Sequence, residues 1–384
     1  MRYYLIAGEA SGDLHGSNLM RGLFAEDPEA EMRFWGGPLM DAVYQEHRSA
    51  SGLVRDYKEG AIIGFLEVLL HARKLLSNVR RCKEDILRWR PDVVILIDYP
   101  GFNFKIAEFA HKKGFKVFYY IAPKVWASRE SRVRKLRAYV DKLFIVFPFE
   151  KEYFDRKGVD YIYRGNPLID AVDASPALQE SRESFLSSCS LPDDPYIALL
   201  AGSRAGEVAS MMKVLVAFAD QLRKVPGYER FRFIVAGAPS RSEEDYKGAI
   251  GDREYIRVIF GKTYGILHHA EAAVINSGTA SLEAVLIGTP QVVGYASSAV
   301  TAMIARKLVH VPWISLGNLI AGREVFRELL QFYFSPENLV DEVRRILEDK
   351  AYRERMNSGY EEIRNLLGGR GASAATARAM IENL

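Results

Sequence analysis

Short runs of consecutive apolar residues, each closed by a polar or glycine-bearing turn, punctuate the chain. They lie at Tyr3–Ala7, Met32–Trp35, Val93–Ile97, Lys116–Ile121 and Lys142–Val146, and again at Tyr196–Leu200, Arg232–Ala236, Arg257–Ile259, Ala272–Ile275 and Gln291–Gly294. Runs of this length and β-branched content read as strands buried on both faces. Between them, apolar positions recur at helical spacing. This predicts helices at Ser17–Glu26, from about Ile62 to Trp89, and at Asn103–Lys113, Ser131–Tyr139, Glu207–Lys224, Pro336–Glu348 and Tyr352–Leu367, with a last one ending near Glu382. Alternating strands and helices predict an α/β fold with parallel sheets and right-handed crossovers.

The alternation stops once and restarts. Between Asp170 and Pro195, Asp, Ser, Pro and Glu dominate, which predicts a linker holding a short helix. The expected organisation is an N-terminal domain at 1–170, a linker at 171–195, a second domain at 196–366, and a C-terminal helix at 367–384 packing back on the first domain. Two strand–helix arrays on one linker predict two Rossmann-like parallel-sheet domains facing a cleft. A length of 384 residues suits two domains. A net charge of +3 is too small to suggest a nucleic-acid partner. Cys82 and Cys189 make neither a disulfide framework nor a metal-ligand spacing. The most apolar run, Ala61 to Leu70, is interrupted by Gly64 and Glu67 and is too short to span a bilayer.

Four stretches carry candidate chemistry. Asp98 follows Val93–Ile97 directly, and Pro100-Gly101 breaks the strand before a helix that Asn103 can cap. Ligands of open α/β sheets bind outside the carboxyl ends of strands, so Asp98 sits where a catalytic group would sit; an ordinary capping aspartate is the competing reading. The loop Gly8–Gly16 offers Ser11, Asp13 and His15, but lacks the G-x-G-x-x-G spacing of dinucleotide sites. Gly202-Ser203-Arg204 joins a buried strand to a long helix, a setting in which amides, helix dipole and guanidinium suit an anion. Gly278-Thr279-Ala280 opens another helix, and Glu283 projects on the same face as Thr279, where a carboxylate can accept both ribose hydroxyls. No Asp-x-Asp and no cluster with metal spacing occurs, so no metal is expected and any pyrophosphate charge falls to Arg204, helix termini and backbone.

One helical stretch is more apolar than a single packing face requires. Over Ile62–Leu70 the apolar residues cover roughly two-thirds of the circumference, whereas Leu75, Leu76, Val79, Ile86 and Leu87 keep to one stripe. The bland reading is a helix buried on two sides. The functional one is contact of Ile62, Ile63, Phe65, Leu66, Leu69 and Leu70 with a membrane or acyl chains, aided by Arg73, Lys74, Arg80, Arg81, Arg129, Arg132, Arg134, Lys135 and Arg137.

Taken together these motifs resemble a known family. Ala7-Gly8-Glu9-Ala10-Ser11-Gly12-Asp13, Ile97-Asp98-Tyr99-Pro100-Gly101-Phe102-Asn103, Pro123-Lys124-Val125-Trp126-Ala127, Gly202-Ser203-Arg204 with Glu207, Ser277-Gly278-Thr279-Ala280 with Glu283, and Gly317-Asn318-Leu319-Ile320-Ala321-Gly322-Arg323-Glu324 stand in the order found in lipid-A-disaccharide synthases. The resemblance covers almost the whole chain. It implies a GT-B fold and an inverting, metal-independent glycosyltransferase without a cofactor. Such an enzyme joins UDP-2,3-diacylglucosamine to 2,3-diacylglucosamine 1-phosphate (lipid X) and releases UDP. It also implies a peripheral location at the cytoplasmic face of the inner membrane.

By the same resemblance Asp98 is the base. Gly202, Ser203, Arg204, Gly278, Thr279, Ala280, Glu283, Asn318 and Arg323 surround the UDP-sugar, and Ser11, Gly12 and Asn103 line the acceptor side. Gly368-Gly369-Arg370-Gly371 is a hinge that would let the tail cross to the first domain or swap into a partner, so a homodimer is expected. The chain departs from the family pattern at Ser128, Ala201 and Phe326-Arg327; the last loses a proline and so blurs an expected helix start. Two alternatives stay open: another GT-B enzyme such as a UDP-N-acetylglucosamine 2-epimerase, and a non-catalytic nucleotide-sugar or lipid-binding protein.

Overall fold

A computed structural model describes residues 1–60, 67–126, 130–295 and 312–384, with the backbone path alone over 67–74. Ile62, Ile63, Phe65, Leu66 and Ser128 lie outside the described residues, as do the side chains of Leu69 and Leu70. The chain divides into two units: Met1–Ala171 with Leu367–Leu384, and Val172–Leu366.

The first unit is built on one parallel sheet. Its strands are β1 (Arg2–Ala7), β2 (Glu31–Gly36), β3 (Leu53–Asp56), β4 (Val93–Ile97), β5 (Lys116–Tyr120), β6 (Lys142–Ile145) and β7 (Ile162–Tyr163), in the order β3-β2-β1-β4-β5-β6-β7. Its helices are α1 (Ala10–Glu26), α2 (Pro38–His47), α3 (Glu67–Trp89), α4 (Pro100–Lys112), α5 (Val133–Tyr139) and α6 (Phe149–Lys157), followed by α7 (Pro167–Asp173). Val93 to Ile97 are completely buried, as a central parallel strand requires. The edge strands β3 and β7 escape the hydrophobic pattern because they are only half-buried and carry no continuous apolar run.

Two helix starts differ from the pattern. α1 begins at Ala10 rather than Ser17, so the stretch read as a glycine-rich loop is mostly helix. Glycine is no obstacle there because the helix presses against β1: a Cβ on Gly12 would stand 3.1 Å from the Ala7 Cβ. α4 begins at Pro100, with Tyr99 rather than Asn103 at its N-cap, since proline's fixed φ suits a first helical position.

The C-terminal helix Ala372–Glu382 packs in this first unit along α1. Asp170 accepts from the amides of Gly371 (2.6 Å) and Ser373 (2.9 Å), capping that helix, and Gly368 and Gly371 take left-handed φ values of 95° and 92°.

The second unit repeats the design. β8 (Tyr196–Leu200), β9 (Arg232–Gly237), β10 (Ile256–Phe260), β11 (Ala272–Asn276), β12 (Gln291–Tyr295) and β13 (Glu328–Leu330) form a parallel sheet ordered β10-β9-β8-β11-β12-β13. Its helices are α8 (Arg182–Ser188), α9 (Ala205–Leu222), α10 (Glu244–Ile250), α11 (Thr263–His268), α12 (Thr279–Ile287), α13 (Leu316–Ala321), α14 (Pro336–Glu348) and α15 (Lys350–Leu367).

The segment 171–195 is not a free linker. Phe185, Leu186 and Leu191 are buried with Tyr196 and Ile266 in this unit's core, and that apolar burial fixes α8 on the sheet. Phe326-Arg327 opens no helix: the chain enters β13, and Phe326 is fully buried with its ring 6.1 Å from that of Tyr360.

Each sheet runs outward from its first strand and then crosses to that strand's other side. The switch points lie between β1 and β4 and between β8 and β11. At such points the turns leaving adjacent strands diverge and open a ligand crevice.

Candidate active site

At the first switch point the backbone is strained. Asp98 and Tyr99 both adopt left-handed conformations, with φ of 44° and 49°, and so does Ile121 at the end of neighbouring β5, with φ of 61°. For residues with a Cβ this costs about 1–2 kcal/mol each, and such strain persists only where the surroundings over-determine it.

The surroundings do so here. The Asp98 carbonyl accepts from Asn103 Nδ2 and from the Tyr119 hydroxyl, both at 2.7 Å, and the Asp98 amide donates to the Tyr120 carbonyl at 3.0 Å. The Tyr99 ring lies against Gly8, where an added Cβ would stand 2.3 Å from Tyr99 Cγ, and stacks on Phe102 at 5.5 Å. The outcome is a half-buried carboxylate at the end of a rigid central strand. Burial raises its pKa to about 6; Lys124 and the Tyr99 amide oppose that rise and Glu9 adds to it. A base poised near neutral pH suits proton abstraction from a hydroxyl group.

Sequence reading missed the support behind Lys124. Glu150, in the first turn of α6, is fully buried and accepts from the amides of Val146 (3.2 Å) and Phe147 (3.0 Å) and from Trp126 Nε1 (3.2 Å). Burial pushes its carboxyl up to about 7. Tyr153 donates to the Val125 carbonyl at 3.3 Å, and Phe149 packs edge-on to Trp126 at 4.8 Å. One helix turn thus holds the 123–126 loop through three side chains. The nearest signal for it is Glu150 in the first turn of a helix, a position too common to single out.

The acceptor-side candidates separate. Ser11 is exposed on the first turn of α1, whereas Gly12 is buried and serves the packing on β1. Asn103 is completely buried, its Nδ2 reaching the carbonyls of Ile97 (3.3 Å) and Asp98 (2.7 Å). It therefore shapes the Asp98 turn rather than lining a surface. Asp13 does not face a ligand either. It is buried and accepts from the amides of Gly37 (2.9 Å), Leu39 (3.1 Å) and Met40 (3.0 Å), capping α2. His15 is buried too, and desolvation lowers it to about 4, which keeps it neutral.

In the second unit the turns after β8 and β11 are neighbours. Gly202 has φ of 97°, and a Cβ there would stand 2.4 Å from Asn276 Nδ2, so only glycine fits. Glu207 turns back over the start of α9. It accepts from the Ser203 and Arg204 amides at 3.4 Å each and pairs with Arg204 Nη1 at 2.8 Å. The amides that the sequence suggests for an anion are thus held by an internal carboxylate, at lengths longer than a good hydrogen bond. Asn276, which the sequence reading did not single out, is buried beside Gly202, and its Oδ1 has no hydrogen-bond partner among the described residues.

Gly278, Thr279 and Ala280 open α12 on the β11 turn and are all half-exposed. Glu283, one turn in, accepts from the Tyr264 hydroxyl at 3.1 Å, and burial raises its pKa. Tyr264, supplied by α11, is a positioning residue for that carboxylate. Tyr264→Phe is expected to weaken UDP binding about tenfold by isothermal titration, the value of one hydrogen bond to a charged group. An unchanged affinity would mean that Glu283 does not meet the nucleotide.

Asn318 turns inward. It is completely buried; Nδ2 donates to the Phe326 carbonyl (2.9 Å) and Glu328 Oε1 (3.0 Å), and Oδ1 accepts from the Val325 amide (2.8 Å). It acts through the loop that carries Arg323, which is exposed and ion-paired with Glu362. Among the described residues, no group of three or more His, Cys, Asp or Glu side chains is placed to hold a metal ion.

Comparison with known proteins bears on these two sets of residues. Residues 3–380 match the family model described as Lipid-A-disaccharide synthetase. The chain is 36% identical to a lipid-A-disaccharide synthase of Geobacter metallireducens, covering 100% of this chain and 97% of that one. It is 34% identical to the enzyme so named in Pseudomonas fluorescens, covering 99% and 98%. Among solved structures, a UDP-GlcNAc 2-epimerase of Neisseria meningitidis bound to UDP-GlcNAc shares the fold with a TM-score of 0.63, 13% identity and complete coverage of both chains. A UDP-N-acetylglucosamine 2-epimerase of Rickettsia bellii does so with a TM-score of 0.66 and 15% identity, covering 100% of this chain and 96% of that one.

Proposed function

The chain belongs to the lipid-A-disaccharide synthase family and is a GT-B glycosyltransferase of lipid A synthesis, and from that premise we propose how its residues divide the work. The activity is the joining of UDP-2,3-diacylglucosamine to 2,3-diacylglucosamine 1-phosphate, giving the β-1,6 disaccharide 1-phosphate and UDP. The observation that carries this reading is the family match, which spans both units and every motif discussed above.

Asp98 takes the proton from the acceptor's 6-hydroxyl as that oxygen attacks the anomeric carbon of the donor from the side opposite the leaving UDP, which inverts the centre. The hydroxyl is a poor nucleophile at neutral pH, and a carboxylate with a raised pKa is the better acceptor for its proton. Negative charge gathers on the departing diphosphate. Arg204 and the amides at Gly202 and Gly278 are suited to stabilise it, without a metal or other cofactor. For Arg204 to do so, the diphosphate replaces the Glu207 carboxylate as its partner. Glu283, oriented by Tyr264, receives the ribose hydroxyls.

The test is UDP release by the purified protein in detergent with both acylated substrates, with and without a chelator. Acceptor-dependent release that survives chelation is the expected result; release that needs added metal would overturn the metal-free reading, and no release would overturn the activity.

Both substrates carry acyl chains. The apolar excess from Ile62 to Leu70 suits them and the cytoplasmic face of the inner membrane, and exposed Arg80 and Arg81 on α3 add positive charge. Among the described residues no helix is long and apolar enough to cross a membrane. The protein is expected to sediment with anionic vesicles, and serine substitutions at Phe65, Leu66 and Leu69 to release it. A homodimer formed through the Gly368–Gly371 hinge is part of the same proposal, and a monomer mass by light scattering across concentrations would refute it.

A further inference from the structure

The turn after β9 holds a guanidinium that the assignments above leave unused. The Arg241 side chain is only 9% exposed, yet its Nε and Nη1 are buried with no hydrogen-bond partner among the described residues. The nearest carboxylate, Asp245, stands 3.9 Å from Nη1, and its other oxygen is occupied by the Ser242 amide at 2.9 Å. A buried arginine left this way is costly, because two of its N–H donors have lost water and gained no hydrogen-bond acceptor among the described residues. Such a group in a native protein calls for an explanation, and a bound anion supplies one.

The placement of the turn says what kind of partner. β9 lies next to β8 in the sheet, and the Ser240 hydroxyl donates to the Ser203 carbonyl at 3.1 Å. That bond ties the Arg241 turn to the Gly202-Ser203-Arg204 turn. On its other side the turn is anchored by the Tyr246 hydroxyl, which accepts from the Ala238 amide at 3.0 Å; Tyr246 itself is fully buried. The turn is therefore held before any ligand arrives. The two arginines contrast. Arg204 is 78% exposed and paired with Glu207, whereas Arg241 is enclosed and has unpartnered donors at Nε and Nη1, on different edges of its guanidinium. Two buried cationic donors that diverge in this way suit the several anionic oxygens of a diphosphate.

We propose that Arg241 is a second diphosphate-binding residue of this unit, closing on the UDP portion of the donor alongside Arg204. The inference rests on the reading of this unit as the UDP-sugar site. Enclosed in this way, Arg241 pairs with phosphate oxygens in a poorly solvated setting and contributes more per bond than Arg204, whose exposure screens it. Its fixed position makes it a specificity element for the diphosphate rather than for the sugar.

The experiment measures UDP and uridine affinities of wild type, Arg241→Met and Arg241→Lys by titration calorimetry and by competition. Arg241→Met is expected to weaken UDP about ten- to a hundredfold and leave uridine unchanged. Arg241→Lys keeps the charge without the donor at the Nε position, so an intermediate loss for UDP alone is expected; if the methionine variant does not fold, the lysine variant decides. UDP affinity that stays at the wild-type value, or equal losses for uridine and UDP, would overturn the proposal while leaving the donor-site reading intact. A wild-type protein that binds no UDP would overturn both.

Discussion

Asp98→Asn is expected to cut turnover by about a hundred- to ten-thousandfold, the usual worth of a positioned base, while UDP binding persists. Asparagine has nearly the shape of aspartate. The turn is held mainly through the main chain, by Asn103, Tyr119 and Tyr120, and those bonds survive the substitution. What disappears is the ability to accept a proton. Loss of UDP binding together with turnover would show instead that the Asp98 carboxylate is structural.

The same carboxylate sets a pH dependence. Its pKa is raised to about 6, so it carries a proton below that value and is a free base above it. The wild-type kcat/KM is expected to fall as pH drops through about 6 and to level off above. Glu150, raised to about 7 and sharing Lys124 as a neighbour, is the other group that titrates there. Glu150→Gln separates the two: the acidic limb stays near 6 if Asp98 produces it, and disappears or moves if Glu150 does.

The largest expected effect on stability comes from Asp85→Ala. Asp85, on α3, is the acceptor on which two side chains converge. It takes the Tyr4 hydroxyl at 2.7 Å and both arms of Arg33 at 2.8 and 2.7 Å, while Trp35 Nε1 donates to the same Tyr4 hydroxyl at 3.0 Å. Alanine would strand a buried phenol and an arginine that is only partly wetted. The cost is about 2–4 kcal/mol, toward the low end for a broken buried pair because Arg33 still reaches water. The readout is the urea midpoint followed by tryptophan emission, to which Trp35 and Trp89 contribute. Arg33→Met combined with Asp85→Leu is expected to recover part of the loss, since removing both partners leaves fewer polar groups unpaired. A midpoint within experimental error of wild type for Asp85→Ala would show that the network contributes nothing net.

Legibility in the sequence follows how local each feature is. The central strands were readable because a run such as Val93–Ile97 has no stable place except between two covered faces. The place of Asp98 at the strand end was readable because an acid directly after such a strand has few places to go. The start of α1 was misread, since glycines that signal a loop in isolation are tolerated in a helix pressed against β1. The motifs suggest Asn103 on the acceptor side and Asn318 beside the UDP-sugar, yet both are completely buried. Their chemistry is right for a site, but the backbone carbonyls and amides they satisfy cannot be inferred from neighbours in sequence. Tyr264 and Arg241 gave no motif signal. Their meaning comes from what stands beside them: a carboxylate on the next helix for one, and for the other two buried donors with no hydrogen-bond partner among the described residues.

By itself, the sequence determined the kind of fold and the kind of chemistry. Hydrophobic periodicity and turn composition are set by neighbouring residues, and the motifs carry their donors and acceptors within a few positions. The tertiary structure alone decided which turns meet. Strand order brings the turns after β1 and β4 together in one sheet, and those after β8, β9 and β11 in the other, although long helices separate them along the chain. Burial then decides which of the polar groups gathered there serve the backbone and which are left for a ligand. That choice depends on water excluded by distant segments, which no local pattern encodes.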